Sequence, residues 1–136
     1  MANGFSLEEG DSFELRDWDG SHLHIIIAAE SDADLSQLII VYVSSSETKY
    51  KDRTTIILPG EHPYITKTDH ESWIRYQHTK VCSRHDLLPL ITRHYGKIPD
   101  DLLKRIQDGF MVSRNVSRQT KKLFEEWRMN RLFDSF

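Results

Sequence analysis

Cysteine is almost missing from this sequence. Cys82 stands alone, so no disulfide can form within the chain, and no cysteine cluster exists to hold zinc or an iron–sulfur centre. No apolar run approaches the ~18 residues that span a bilayer, and the opening Met1 to Gly10 is polar and acidic, unlike a secretory signal. A reduced, cytoplasmic protein with no membrane partner is expected. Four familiar chemical signatures are also absent: a Gly-rich phosphate loop, a Gly-x-Ser-x-Gly elbow, His-Glu-x-x-His and Cys-x-x-Cys. There is no internal repeat, low-complexity tract or long linker.

What remains is an ordinary globular chain. Its 136 residues are 38% hydrophobic and 29% charged, which suits a single domain, 1–136, with one real core. The net charge of −3 conceals an asymmetry. Through Arg75 there are 6 Lys/Arg against 14 Asp/Glu, and from Tyr76 onward 12 against 7. A basic half can steer an anionic partner. It can equally be a solvated helical surface.

The first part reads as strands. Ser12 to Arg16 alternates, with Phe13 and Leu15 on one face, and Asp17-Trp18-Asp19-Gly20 is a turn signal. His22 to Ala29, Leu38 to Val43 and Thr54 to Leu58 are apolar, β-branched runs too short for helices. Pro59-Gly60 leads into Tyr64-Ile65-Thr66, and Ser72 to Val81 makes a last extended stretch. Five or six short strands with no helix between them predict a β-rich α+β protein, with a small barrel over 8–82 and about three helices over 83–131. Asp86 is expected to cap a first helix bearing Leu87, Leu88 and Ile91, ended by Gly96. Pro99-Asp100-Asp101 opens a second, burying Leu102, Leu103 and Ile106 and stopped by Gly109. Ser117 caps a third, with Thr120, Leu123, Phe124 and Trp127 on one stripe and Arg118, Lys121, Lys122 and Arg128 opposite. The pattern degrades after Met129, so 132–136 should fray. Asn115-Val116-Ser117 matches a glycosylation acceptor but means only a helix cap here.

Histidine carries what chemistry there is. On a strand, His22 and His24 share one face while Leu23, Ile25 and Ile27 share the other. Two adjacent imidazoles suit acid–base work near neutral pH. They also suit two ligands of a metal, with His62, His78 or Asp52 as a scattered third, or two ordinary hydrogen-bonding groups at a barrel mouth. The run Ser44-Ser45-Ser46 follows a strand end, where hydroxyls and backbone N–H groups can bind phosphate oxygens, though such runs also make simple loops. Arg75 is the best single cation for charge developing on phosphate, because guanidinium binds it bidentately; its other reading is a surface ion pair. Tyr42, Tyr64, Trp73 and Tyr76 can stack bases or fill the core.

The order of segments, "EEGDSFEL", "SHLHIIIA", "LIIVYVSSS", "DRTTIILPGEHPYI", "SWIRYQHTKV" and "GKIPDDLLKRIQDGF", resembles the PemK/MazF-like toxin superfamily over residues 8 to 110. The resemblance implies an SH3-like barrel with helical additions, a homodimer, and an endoribonuclease that cleaves single-stranded RNA without a metal or other cofactor. An antitoxin protein would block its groove. The family's arginine at the start of the second strand falls on His22, and its functional threonine after the third falls on Ser45. Serine keeps the hydroxyl, whereas histidine exchanges a permanent charge for a group that titrates near pH 7. On this reading His22, His24, Ser45 and Arg75 do the chemistry. Ser44, Ser46, Tyr76, His78, Arg118, Lys121 and Lys122 hold RNA. The alternative is a non-enzymatic binding module for a protein or nucleic acid, its histidines structural.

Overall fold

The computed structural model describes residues 7–17, 20–46, 48, 51–62 and 71–134. The turn residues Trp18 and Asp19 and the Tyr64-Ile65-Thr66 stretch lie outside them. The protein is mixed α+β, built on seven antiparallel strands: β1 (Asp11–Asp17), β2 (Gly20–Ala29), β3 (Gln37–Ser44), β4 (Ile56–Ile57), β5 (Ser72–Ile74), β6 (Lys80–Ser83) and β7 (Ile91–Lys97). Their order is β4-β5-β3-β2-β1-β7, with β6 also paired to β3. The expected closed barrel is therefore an open sheet among the described residues. Its edges, β4 and β7, do not pair. Two-residue β4 offers too short a ladder to close on, and β7 extends the sheet past β1.

Strand alternation sorts two cores. Ile25, Ile39, Val41, Val43, Ile57 and Ile74 pack on one face against the long helices, and Phe13, Leu15, Ile26, Leu38 and Ile40 pack on the other with Leu7 and Leu87. The first core is closed by helices α2 (Asp100–Val112) and α3 (Arg118–Asp134) through Ile106, Phe110, Phe124 and Trp127. Each such side chain withdrawn from water contributes about 1.5–3 kcal/mol. β2 carries a bulge between Ile26 and Ala28, so Ile27 drops out of the ladder; Gln107 Nε2 on α2 donates to its carbonyl at 2.9 Å.

Several elements differ from expectation. The helix predicted from Asp86 to Gly96 is a single turn, α1 (Arg84–Leu87), then a 3₁₀ turn at Leu88–Leu90, then β7. Its cap is Ser83, whose Oγ accepts from Asp86 N at 3.1 Å. Pro89 cannot continue the α-helical ladder, and β-branched Ile91 and Thr92 with Tyr95 take the free edge of β1 instead. Gly96, at φ +86°, sits beside an irregularity in that pairing rather than ending a helix. The extended stretch from Ser72 to Val81 breaks at Arg75 into a 3₁₀ turn, Tyr76–His78, because Tyr76 turns inward to bury its ring. Gly109 lies inside α2, which ends at Val112 with Ser113 as its cap. α3 runs on to Asp134 rather than fraying at 132, with no glycine or proline to interrupt it. Among the described residues, no helix is long and apolar enough to cross a membrane.

Ser117 does cap α3, its Oγ accepting from Thr120 N at 3.1 Å. Ser117→Ala should lower stability by about 0.5–2 kcal/mol, read as a shift in urea midpoint at unchanged slope. Phe124 and Trp127 should keep the helix docked.

Candidate functional site

At one end of the sheet, the start of β2, the end of β3 and the start of β5 surround a cleft of about 220 Å³. His22 borders it from β2, Tyr42 and Ser44 from β3, Ser45 and Ser46 from the segment beyond, and Ser72 from β5. Register explains the assembly. Leu23 pairs with Val43 and His24 with Tyr42 across β2–β3, and Ser44 pairs with Trp73 across β3–β5. The serine run is pinned in place: Trp73 Nε1 donates to Ser46 O at 3.0 Å, and Ser46 N donates to Ser44 Oγ at 3.3 Å.

Tyr42 is the hub. Its hydroxyl shares a hydrogen bond with His22 Nδ1 at 2.7 Å, and the rings lie 4.8 Å apart. The rings of His24 and His78 each lie 5.4 Å from that of Tyr42. The Arg75 guanidinium stands 6.0 Å from the Tyr42 ring centre and 5.0 Å from that of Trp73, within reach of both π faces. His78 is held below the usual imidazole range, first by partial burial and then by the positive charges of Arg75, Lys80 and His22. Beside Ser72, Glu71 accepts from Lys51 Nζ at 2.6 Å and from Arg53 at 3.1 Å. The Lys51 hydrogen bond comes first in holding that carboxyl below the ordinary carboxylate range. Two cations thus offset this carboxylate, which would otherwise repel an anion from this end of the sheet.

Two buried polar atoms here, Ser72 Oγ and Arg75 Nε, meet no hydrogen-bond partner among the described residues. Leaving such a group unsatisfied costs about 1–3 kcal/mol, so a ligand that supplies acceptors is favoured at this end.

The structure brings together His22, Ser44, Ser45 and Ser46 at the cleft, with Arg75 and His78 on the far reach of Tyr42. It separates the others. His24 is 2% exposed, its ring stacked on Phe13 at 6.2 Å and its Nδ1–H donating to His22 O at 3.0 Å. The shared face was foreseen; its cover, Phe13 opposite on β1, was not. Tyr76 offers no stacking surface. It is fully buried against Phe110, donates to Ile106 O at 2.7 Å and meets Thr55 Oγ1 at 2.7 Å, and burial pushes its phenol well above the usual range. Arg118, Lys121 and Lys122 ride on α3, which packs on the sheet face opposite Tyr42 and His22. Lys121 Nζ donates to Ser113 O at 2.7 Å. Among the described residues, no three His, Cys, Asp or Glu side chains are grouped to hold a metal ion.

The sequence reading missed the bond that makes Tyr42 a partner of His22, and it missed Ser72. Parity along β3 could have placed Tyr42 on the histidine face. Nothing local pointed to Ser72, which comes to the cleft because Trp73 and Ile74 pair β5 with the end of β3. Compared with known proteins, the chain matches no family model and no curated protein.

Proposed function

We propose that this cleft takes the backbone of single-stranded RNA and that the protein is a toxin-like endoribonuclease, cutting by attack of a ribose 2′-hydroxyl on the adjacent phosphate. The observation that carries the reading is His22, bonded to Tyr42 at the border of a cleft walled by serine hydroxyls. An imidazole can move a proton near neutral pH, hydroxyls can donate to phosphoryl oxygens, and the Arg75 guanidinium supplies fixed positive charge nearby. The O2′–P bond forms as the P–O5′ bond breaks. The products are a 2′,3′-cyclic phosphate and a free 5′-hydroxyl. An SH3-like arrangement of the strands, a homodimer and control by an antitoxin peptide lying in the same cleft belong to this proposal, on the strength of the segment order.

The burial of His24 favours a second reading, in which the same cleft binds a nucleic acid or protein without cutting it, since among the described residues only one strand imidazole borders it. One experiment separates the two. Incubated with single-stranded RNA in excess EDTA, the protein should yield fragments ending in 2′,3′-cyclic phosphate at an undiminished rate. Retention of intact RNA with no fragments would establish the binding module, and an EDTA-sensitive cut would remove the metal-free reaction. Expression in a bacterium should arrest growth, relieved by co-expression of an adjacent open reading frame.

A further inference from the structure

Acid–base cleavage of RNA needs two proton-handling groups. One takes the proton of the 2′-hydroxyl and the other gives a proton to the departing 5′-oxygen. With His24 sealed beneath Phe13, the β2 pair supplies one such group, not two. A second imidazole reaches Tyr42 from elsewhere in the chain.

His78 ends the 3₁₀ turn after Arg75 and is exposed. Its ring lies 5.4 Å from that of Tyr42, whose other neighbour, His22, is at 4.8 Å. Backbone bonds fix this placement. Arg75 N donates to Tyr42 O at 2.9 Å, His78 N donates to Arg75 O at 2.9 Å, and Tyr76 between them is anchored in the core. The turn therefore starts both the Arg75 and the His78 side chain beside Tyr42.

We propose that His22 and His78, both packed against Tyr42, are the acid–base pair of this site, with Arg75, whose guanidinium also faces the Tyr42 ring, stabilising the phosphate; the assignment rests on the endoribonuclease reading above. The charges facing His78 are Arg75 on its own turn, Lys80 on β6 and His22 on β2. Together with partial burial they favour its neutral form near pH 7, the form a base needs. His78 then accepts the 2′-hydroxyl proton as O2′ bonds to phosphorus. Protonated His22 gives its proton to O5′ as the P–O5′ bond breaks. Each histidine ends in the other's starting state, and solvent exchange resets both.

The signs follow. Activity should rise with pH as His78 loses its proton, over a range below the ordinary imidazole value of 6.5. His78→Gln should lower the cleavage rate at the optimum by about 10²–10⁴-fold and abolish the rising limb, with affinity for a 2′-deoxy oligonucleotide nearly unchanged.

A second measurement needs no turnover. In imidazole-resolved NMR, adding the uncleavable 2′-deoxy oligonucleotide should shift the His22 and His78 resonances together and leave His24 still. His22→Ala should raise the midpoint of His78 titration by removing a neighbouring charge. Cleavage that keeps both its rate and its rising limb in His78→Gln overturns the pair alone, as does a His78 resonance that ignores the oligonucleotide. A wild-type protein that binds RNA and never cuts it overturns the pair together with the reading it rests on.

Discussion

If the proposed cleavage reaction is right, His22→Ala should lower its rate by about 10²–10⁴-fold, the usual cost of losing one acid–base group, while the protein stays folded and still binds an uncleavable strand. The residue is half-buried at the cleft, so its truncation opens little of the core. What it removes is the one strand imidazole that, among the described residues, borders the cleft. Tyr42→Phe tests the layer behind it. That variant keeps the ring and deletes the 2.7 Å bond that orients His22, so a loss of only about tenfold is expected, in line with one hydrogen bond of about 0.5–1.5 kcal/mol. His24→Ala should do the reverse. Its ring is packed between Phe13 and Tyr42, so truncation leaves a cavity and costs about 2–4 kcal/mol of stability, while activity per folded molecule survives. Single-turnover rates of the three variants, normalised to folded protein by circular dichroism, give the ordering. If His24→Ala loses the rate and His22→Ala keeps it, the site has been assigned to the wrong imidazole.

That contrast also measures what was legible beforehand. Alternation along β2 put His22 and His24 on one face, and the structure keeps them there. Their unequal exposure depends on β1, where Phe13 lies opposite His24 and Leu15 opposite His22. Register between strands is a non-local property that a single run of residues does not display. The same limit explains β7. Leu87, Leu88 and Ile91 suit a helix face, and Asp86 looks like a cap, but Pro89 and the open edge of β1 decide otherwise. The long helices were easier, because Pro99, the acidic first turn of α2 and the Ser117 cap are local signals. The basic residues of α3 show the same limit. Charge spacing on α3 shows which arc is solvated, while the side of the sheet it covers is fixed by Phe124 and Trp127 in the core.

Gly109→Ala carries the largest stability effect expected for so small a change, although alanine is the better helix former by about 1 kcal/mol. A Cβ built at position 109 would stand 2.0 Å from Thr55 Oγ1 and 2.5 Å from the Tyr76 hydroxyl. Neither can swing aside freely. Tyr76 is fully buried and its hydroxyl already donates to Ile106 O, so the Thr55 hydroxyl must donate to Tyr76. A methyl group at this point overpacks the contact, at about 1–3 kcal/mol, and breaks one or both bonds of the buried chain, at about 1–3 kcal/mol for each group left unsatisfied. The helix-propensity gain is too small to offset this, and a net loss of about 2–4 kcal/mol is expected. At this chain length that lowers the melting temperature by roughly 10 °C. The second-site test is Gly109→Ala combined with Thr55→Ala and Tyr76→Phe, which removes both crowding oxygens and should recover part of the loss despite deleting two hydroxyls. A melting temperature that rises in Gly109→Ala would mean that α2 does not approach Tyr76 this closely. The consequence reaches the cleft as well, since Tyr76 is the anchor between Arg75 and His78. Displacing its ring moves the turn that presents both, so Gly109→Ala should weaken catalysis at temperatures where the protein is still folded, and the triple variant should restore part of it.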